Sequence, residues 1–180
     1  QVTMDSMHVD DPLQHWPQKK LDRLEVLKPL NKYARETYGR SKEKDLGAAV
    51  LRIDDMRCMV LDALKKDVDE KTIKAQYIYC AYLTHADQHF PISDGTLGIN
   101  WAWYDVNDNK CTSPSTTLEI SGVLFNAAAI HCMISDRCTR DREGLLKAKN
   151  YYQVAAGLWD AVRSRLSLDP DLALTSDIKP

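Results

Sequence analysis

Two histidines spaced four residues apart are the side chains of this sequence best arranged for chemistry. His85 and His89 lie in one predicted helix, where this spacing puts both imidazoles on the same face. Such a pair can hold a metal ion. In the zinc-protease pattern a glutamate follows the first histidine, but here Ala86 does. Because no third ligand is evident in the sequence either, we interpret the pair as a solvated helix end and expect no metal site.

Other polar residues lie within apolar segments, where a structural role is the simpler interpretation. His131 ends an apolar run, and no partner or pocket for a catalytic base is evident, so we expect a hydrogen-bonded, partly buried imidazole. Asn126 lies among apolar neighbours. A buried amide needs hydrogen-bond partners, so we expect Asn126 to tie a neighbouring loop or strand to its helix.

The sequence contains no pattern typical of an enzyme. No glycine-rich phosphate loop, nucleophile elbow or pair of catalytic carboxylates is evident. The five cysteines lack CxxC and zinc-site spacing, which favours reduced thiols in a reducing compartment. We therefore predict a protein that is not an enzyme and that has no cofactor.

Charge and hydropathy exclude two classes of partner. The formal net charge is −2, which gives no electrostatic reason to bind nucleic acid or an anionic membrane surface. Trp101, Trp103 and Tyr104 could stack on bases, but we see no basic residues near them in sequence, so packing of a small sheet is the better interpretation. No apolar run reaches the roughly 18 residues that span a bilayer, so we expect no transmembrane segment.

The elements that carry these residues are mainly helical. Apolar residues at helical spacing predict five helices, near 25–38, 43–66 and 70–89, from a start at Ser113 and Pro114 to about 137, and from after Thr139 or Asp141 to about 166. An alternating aromatic segment predicts a strand over 98–105, followed by a turn over 107–110. The fold class is therefore mainly α, an array of helical hairpins with a small β-hairpin or sheet.

The last two helices are predicted to pack closely. The run from Phe125 to His131 and the run from Tyr152 to Gly157 both contain small residues, which let two backbones approach. We therefore predict three parts: an extended arm over 1–24, which could include one short strand, a helical domain over 25–168 and an irregular tail over 169–180. The chain begins at Gln1, which we interpret as a trimmed or cleaved N-terminus.

Several blocks together resemble one family. They are Trp103-Tyr104-Asp105, Leu118-Glu119, Val123-Leu124-Phe125-Asn126-Ala127-Ala128-Ala129, Glu143-Gly144-Leu145 and Tyr152-Gln153-x-Ala155-Ala156-Gly157. In order and spacing these blocks resemble the N-terminal half of the Bro-one domain, the family of ALIX and rhophilin. The resemblance implies a curved, tetratricopeptide-like helical domain with a small sheet. The residues that carry it are Trp103, Asp105, Phe125, Asn126, Gly144, Gln153 and Gly157.

The resemblance also implies a function. Members of this family are scaffolds of endosomal sorting that bind the C-terminal helix of an ESCRT-III subunit. In ALIX-like members an acidic residue and two lysines contact that helix, and alignment on Glu143-Gly144 puts these positions at Arg142, Leu146 and Asn150, all three changed in type. We therefore expect a protein-interaction scaffold in the cytoplasm, associated with endosomes.

A second expectation comes from the length of the sequence. A full Bro-one domain is considerably longer, so we expect part of the partner groove to be missing and the apolar stripe of the last helix to be covered by a partner, a second copy or the N-terminal arm. The alternative function is a repurposed structural subunit of a larger assembly with neighbouring subunits as partners. That assembly could be mitochondrial or in another organelle, after removal of a transit peptide.

Overall fold

The computed structural model describes residues 18–63, 68–104 and 108–168, with residues 43 and 44 described by their backbone alone. Within these ranges the chain forms five α-helices and one small antiparallel sheet. The elements are β1 (Lys20–Leu21), α1 (Leu27–Tyr38), α2 (Arg40–Ala63), α3 (Glu70–Asp87), β2 (Trp101–Tyr104), β3 (Lys110–Ser113), α4 (Thr116–Asp136) and α5 (Arg142–Ser167). The predicted fold class is confirmed.

Among the helix boundaries that differ from the prediction, two have clear local reasons. Gly39 has a φ of 79°, which glycine adopts at little cost, and this one residue turns the chain from α1 into α2. Helix α2 therefore begins at Arg40, three residues before the predicted start. Helix α3 ends at Asp87, because its side chain accepts hydrogen bonds from the backbone N–H and the hydroxyl of Ser93 in the following loop.

The starts of α3, α4 and α5 are fixed by side-chain caps. Asp69 accepts from Thr72 N at 2.9 Å at the start of α3, and Asp141 accepts from Gly144 N at 2.7 Å at the start of α5. Asp141 is one of the two residues after which the sequence predicts that this last helix starts. The predicted cap of α4 at Ser113 is wrong. Ser115 is the cap, because Ser113 is still paired in β3.

The sheet has the order β1-β2-β3, with β2 in the centre and both pairings antiparallel. Strand β2 covers only Trp101–Tyr104 of the predicted segment 98–105, and Asp105 and Asn107 lie outside the described residues. Strand β1 is the short strand expected within residues 1–24; the first 17 residues of that arm, like the tail 169–180, also lie outside them. The domain boundaries themselves stay a prediction.

The expectation that no basic residues lie near the aromatic cluster is wrong. Pairing of the strands brings the ammonium groups of Lys20 and Lys110 to 5.4 and 5.6 Å from the Tyr104 ring centre. The cluster still does not offer a platform for bases, because Trp101 and Trp103 are buried in the core. The two indoles pack the sheet onto the helices, as the sequence predicts.

Helix α4 is the central element of the core. It is buried on nearly all sides, and α3, α5 and the sheet contact it. By length and composition it is the one described helix that could cross a membrane, but 78% of that apolar window is buried inside the domain. Its apolar character is therefore that of a core helix.

Helices α4 and α5 pack against each other as predicted, but only part of the small-residue argument holds. Ala128, Cys132 and Ala155 form a buried cluster between them. Ala156 and Gly157 are exposed, so of the three consecutive small residues of α5 only Ala155 lies in the contact with α4. Successive helical residues point 100° apart, so three in a row cannot share one narrow contact.

Candidate partner-binding face

The candidate contact residues form one exposed row on α5. Arg142, Leu146 and Asn150 follow each other at intervals of four, and Val154 continues the row. Side chains at this spacing lie on one helix face. All four are exposed, Leu146 at 56% and Val154 at 44% of their surface. We call these four residues the α5 row; it combines two apolar side chains with one cation and one amide.

The opposite face of α5 anchors the helix to the domain. Ala155, Val162 and Leu166 are buried, and Trp159 packs on the core with its ring centre 6.0 Å from that of Phe125. The predicted apolar stripe of α5 is thus covered in part by the domain itself. The apolar side chains of Leu145 and Tyr152, nearer the start of the helix, are 58% and 40% exposed.

Gly144 explains how the first turn of α5 meets the preceding loop. A Cβ atom at this position would lie 2.1 Å from the Thr139 carbonyl oxygen, so no larger side chain fits without a shift. The same residue donates its backbone N–H to the Asp141 cap. Gly144 therefore fixes the direction in which α5, and with it the α5 row, leaves the loop.

The other signature residues divide into two groups. Trp103, Phe125 and Asn126 are buried below the surface, whereas Gln153 and Gly157 are exposed on α5. Asp105 lies outside the described residues. Nothing lies within 4 Å of a Cβ built at Gly157, so its own domain does not require a glycine there. The buried group supports the fold, and the exposed pair lies beside the α5 row.

Asn126 joins the strand segment to α4, as the sequence predicts. Its Oδ1 accepts from Lys19 N at 2.5 Å and its Nδ2 donates to Lys19 O at 2.9 Å. One side chain thus satisfies both backbone groups of a buried residue. The Lys19 ammonium lies 4.9 Å from the centre of the Phe125 ring.

A buried ion pair at the centre of the domain was not predicted from the sequence. The fully buried Glu119 carboxylate accepts from Arg57 Nε at 2.9 Å, Tyr79 Oη at 3.0 Å and Trp103 Nε1 at 3.1 Å. Arg57 also donates to Asp22 O at 2.8 Å. One feature of the sequence could have indicated this pair. Glu119 lies within the apolar helix α4, and a charged residue is rare at a buried position unless it is paired.

Burial shifts the pKa values of the acidic groups in this network. Removal from water raises the pKa of the Glu119 carboxyl, and the nearby Arg57 guanidinium opposes that rise. Burial and the Glu119 charge together raise the pKa of Tyr79 well above its ordinary value. With three donors converging on it, Glu119 acts as a structural acceptor that joins α2, α3, α4 and β2.

The histidines differ in burial, and His89 lies just beyond the end of α3 and not within the predicted helix. His85 and His89 are exposed with ring centres 4.7 Å apart, and no third His, Cys, Asp or Glu joins them in the part of the chain that the structure describes. His131 is buried, its Nε2 lies 2.9 Å from the Tyr77 hydroxyl, and burial lowers its pKa. All five cysteines are free thiols.

The charge of α5 differs from that of the chain. Five basic and two acidic residues give the helix a net charge of +3, whereas the whole chain carries −2. Lys147 pairs with Glu70 at 3.6 Å and Arg163 with Asp160 at 2.8 Å, both at exposed positions. The helix that carries the α5 row is therefore basic on balance, although two of its cations are paired with carboxylates.

Comparison with known proteins decides the family. The model of the BRO1-like domain matches residues 13–180. The chain belongs to the BRO1-like domain family. Among its relatives, the ALG-2 interacting protein X of Dictyostelium discoideum is 27% identical over 161 residues, which are 88% of this chain and 20% of that protein. The predicted Bro-one resemblance is confirmed.

Other BRO1-like domains support the same assignment. The vacuolar protein-sorting protein bro1 of Aspergillus fumigatus is 25% identical over 177 residues, which are 94% of this chain and 17% of that protein. The solved structure of the ALIX BRO1 domain in complex with CHMP4C has a TM-score of 0.77 at 24% identity, covering 91% of this chain and 49% of that one. The chain thus spans about a fifth of the length of the two relatives compared by sequence and about half of the solved domain.

Proposed function

We propose that this BRO1-like domain is a non-enzymatic interaction module of endosomal sorting, and that its α5 row binds a helix of an ESCRT-III subunit. The observation that carries the proposal is the row itself. It exposes the apolar side chains of Leu146 and Val154, about two turns apart, on a helix whose opposite face is fixed in the core. An exposed apolar strip with polar neighbours is typical of a surface that receives an amphipathic helix.

The relatives support both the process and the class of partner. One is named as a vacuolar protein-sorting protein, and the ALIX BRO1 domain has been solved with CHMP4C. A location in the cytoplasm on endosomal membranes follows from that process. The comparisons give no support to the alternative of an organellar structural subunit.

The residue types of the α5 row imply a changed contact. By resemblance, Arg142 replaces an acidic residue, and Leu146 and Asn150 replace two lysines. A partner helix would then place an acidic group near Arg142 and an apolar side chain on Leu146 and Val154. Binding would depend more on apolar contact and less on paired charges than in ALIX-like members.

The proposal is tested by calorimetric titration of C-terminal peptides of ESCRT-III subunits into the purified chain. We expect saturable binding that Leu146→Asp removes, because the variant puts a carboxylate on the apolar strip. Leu51→Asp is the matched control, since Leu51 is 50% exposed on α2 and is not part of the row. Absence of saturable binding, or equal loss in both variants, would contradict the proposal.

A further inference from the structure

The outer face of α1 carries a row of cations that is separate from the α5 row. Lys28, Lys32 and Arg35 follow each other at intervals of four and three residues, which puts them on one helix face. The opposite face of the helix is fixed in the core by Leu30 and Ala34, so the three cations are exposed. At a rise of about 1.5 Å per residue they span about 10 Å of the helix surface.

The start of α2 continues this row of cations beyond the turn at Gly39. Gly39 donates its backbone N–H to Arg35 O at 3.1 Å, and two exposed cations follow directly after it. We give the name α1 cation patch to Lys28, Lys32, Arg35, Arg40 and Lys42. In the part of the chain that the structure describes, none of these five side chains forms an ion pair. Their charges are therefore available to an anionic partner.

The carboxylates near the patch along the chain do not neutralise it. Glu25, Glu36 and Asp45 are exposed, and none of them pairs with a described cation. Residues 27–42 contain five basic residues and one acidic residue, a net charge of +4. The wider segment 25–45, with six basic and four acidic residues, still carries +2. The net charge of −2 for the whole chain therefore hides a separation of charge, and it does not describe α1.

The form of the patch favours a bilayer over other anionic partners. A cavity between β1 and α2 and another at the start of α5 are both lined by other residues, so neither gives the patch a pocket for one anion. A protein partner is disfavoured because protein interfaces depend on buried apolar anchors. The one large exposed apolar residue of α1, Tyr38, lies at its end, with its hydroxyl bonded to His89 O at 3.0 Å. Mobile lipid headgroups adapt to cations at any spacing, and a cluster of about four to eight Lys and Arg is typical of segments that bind anionic lipids.

We propose that the α1 cation patch binds the surface of an anionic phospholipid bilayer, with the axis of α1 lying along the membrane. The attraction is electrostatic, and no side chain of the patch enters the hydrocarbon. Each Lys or Arg held near such a surface strengthens binding about fivefold. Helix α1 packs chiefly on α2, whereas α5 packs on α4, so the patch and the α5 row belong to different helix pairs. The membrane contact is thus independent of the partner of the α5 row.

The test is cosedimentation of the purified 180-residue chain with vesicles made of equal parts of phosphatidylcholine and phosphatidylserine. We expect binding at low salt and none to vesicles of phosphatidylcholine alone. Binding should be lost at about 1 M salt, where the Debye length falls to about 3 Å. The triple variant Lys28→Gln, Lys32→Gln and Arg35→Gln should weaken binding about a hundredfold, because three cations are removed. Circular dichroism checks that this variant keeps its helices.

A matched control removes the same number of charges from other parts of the surface. Lys71→Gln, Lys74→Gln and Arg140→Gln replace three exposed cations outside the patch, and binding should stay within about twofold of the wild type. Failure of the wild type to bind phosphatidylserine vesicles, or an equal loss in the two triple variants, would overturn the proposal.

Two further measurements identify the partner. The variant Lys28→Arg, Lys32→Arg and Arg35→Lys keeps every charge and should keep the binding, because the contact depends on charge and not on side-chain shape. Preference for a single-stranded oligonucleotide or a polyglutamate peptide over the vesicles would overturn the bilayer as partner. Leu146→Asp leaves the patch intact and should bind vesicles like the wild type, so failure of the membrane contact and failure of the α5 row are distinguishable.

Discussion

At the scale of residues, two glycines in opposite environments have opposite effects on the stability of the domain. Gly122 of α4 lies under the indole of Trp103, and a Cβ atom there would lie 2.1 Å from that ring. Gly157 of α5 has open space where its Cβ would be. The first glycine is required by packing within the domain. The second lowers the stability of α5, because glycine in a helix interior costs about 1 kcal/mol relative to alanine.

We therefore expect opposite effects of one substitution at the two positions. Gly122→Ala should lower the free energy of unfolding by about 1–3 kcal/mol, since the Trp103 ring must move. Gly157→Ala should raise it by about 0.5–1 kcal/mol. Urea denaturation followed by circular dichroism measures both. Destabilisation by Gly157→Ala would mean that its surroundings are more crowded than the structure shows.

Two asparagines provide a second comparison at this scale. Asn126→Ala removes the partners of the buried Lys19 N–H and C=O, which costs about 1–3 kcal/mol for each group left unsatisfied. Asn150→Ala removes an exposed side chain, so its effect should stay within about 0.5 kcal/mol. The free energies of unfolding of the two variants give the test. Equal effects would show that the Lys19 contact does not contribute to stability.

At the scale of elements, the Arg57–Glu119 pair connects parts of the fold that are far apart in sequence. Arg57 of α2, Tyr79 of α3 and Trp103 of β2 all donate to the one carboxylate of α4. A buried pair of this kind contributes little in net stability, but removal of one partner leaves an uncompensated charge. The pair thus acts chiefly by fixing how these elements meet.

Substitution of the pair distinguishes these two contributions. We expect Glu119→Gln to lower the free energy of unfolding by about 3–5 kcal/mol, because the Arg57 charge stays buried. Arg57→Met combined with Glu119→Gln should be less harmful than the sum of the single variants, as measured by a double-mutant cycle in urea. Additive losses would contradict a direct interaction between the two side chains.

The sequence predicts the elements better than it predicts their contacts. Helical periodicity is strong where one face is buried, so each helix was predicted, with errors of a few residues where Gly39 and Asp87 act locally. The role of Asn126 followed from one polar side chain among apolar neighbours. The partners of Glu119 could not be predicted, because they are separated from it by up to 62 residues.

The sequence is sufficient to predict that the candidate contact residues share one helix face, but not which other residues of α5 are exposed beside them. The spacing of Arg142, Leu146 and Asn150 is sufficient to put them on one helix face, and they do lie there. The face of α5 to which Ala156 and Gly157 belong depends on the rotation of the helix about its axis. Only packing against α4 through Ala155, Val162 and Leu166 fixes that rotation.

At the scale of the whole molecule, one buried imidazole connects the last three helices. His131 of α4 contacts the Tyr77 hydroxyl of α3 through Nε2, and its ring centre lies 5.5 Å from that of Tyr151 of α5. Tyr151 in turn donates its hydroxyl to Glu70, which also pairs with Lys147 at the surface. None of these contacts offers His131 a carboxylate, so its neutral form is the favoured one.

The stability of the domain should consequently fall as the solution becomes acidic. Burial lowers the pKa of folded His131 below 6.5, so the unfolded chain binds more protons than the folded one in this range. The contribution of neutral His131 to stability is thus fully present above about pH 6.5 and is lost as the pH falls through the folded pKa.

Urea midpoints measured from pH 8 downward should decline below about pH 6.5. His131→Gln should flatten that decline. The control is His85→Gln, which replaces an exposed histidine and should leave the decline unchanged. An unchanged decline in His131→Gln would assign the acid sensitivity to another group, and would remove His131 as the titrating link between α3, α4 and α5.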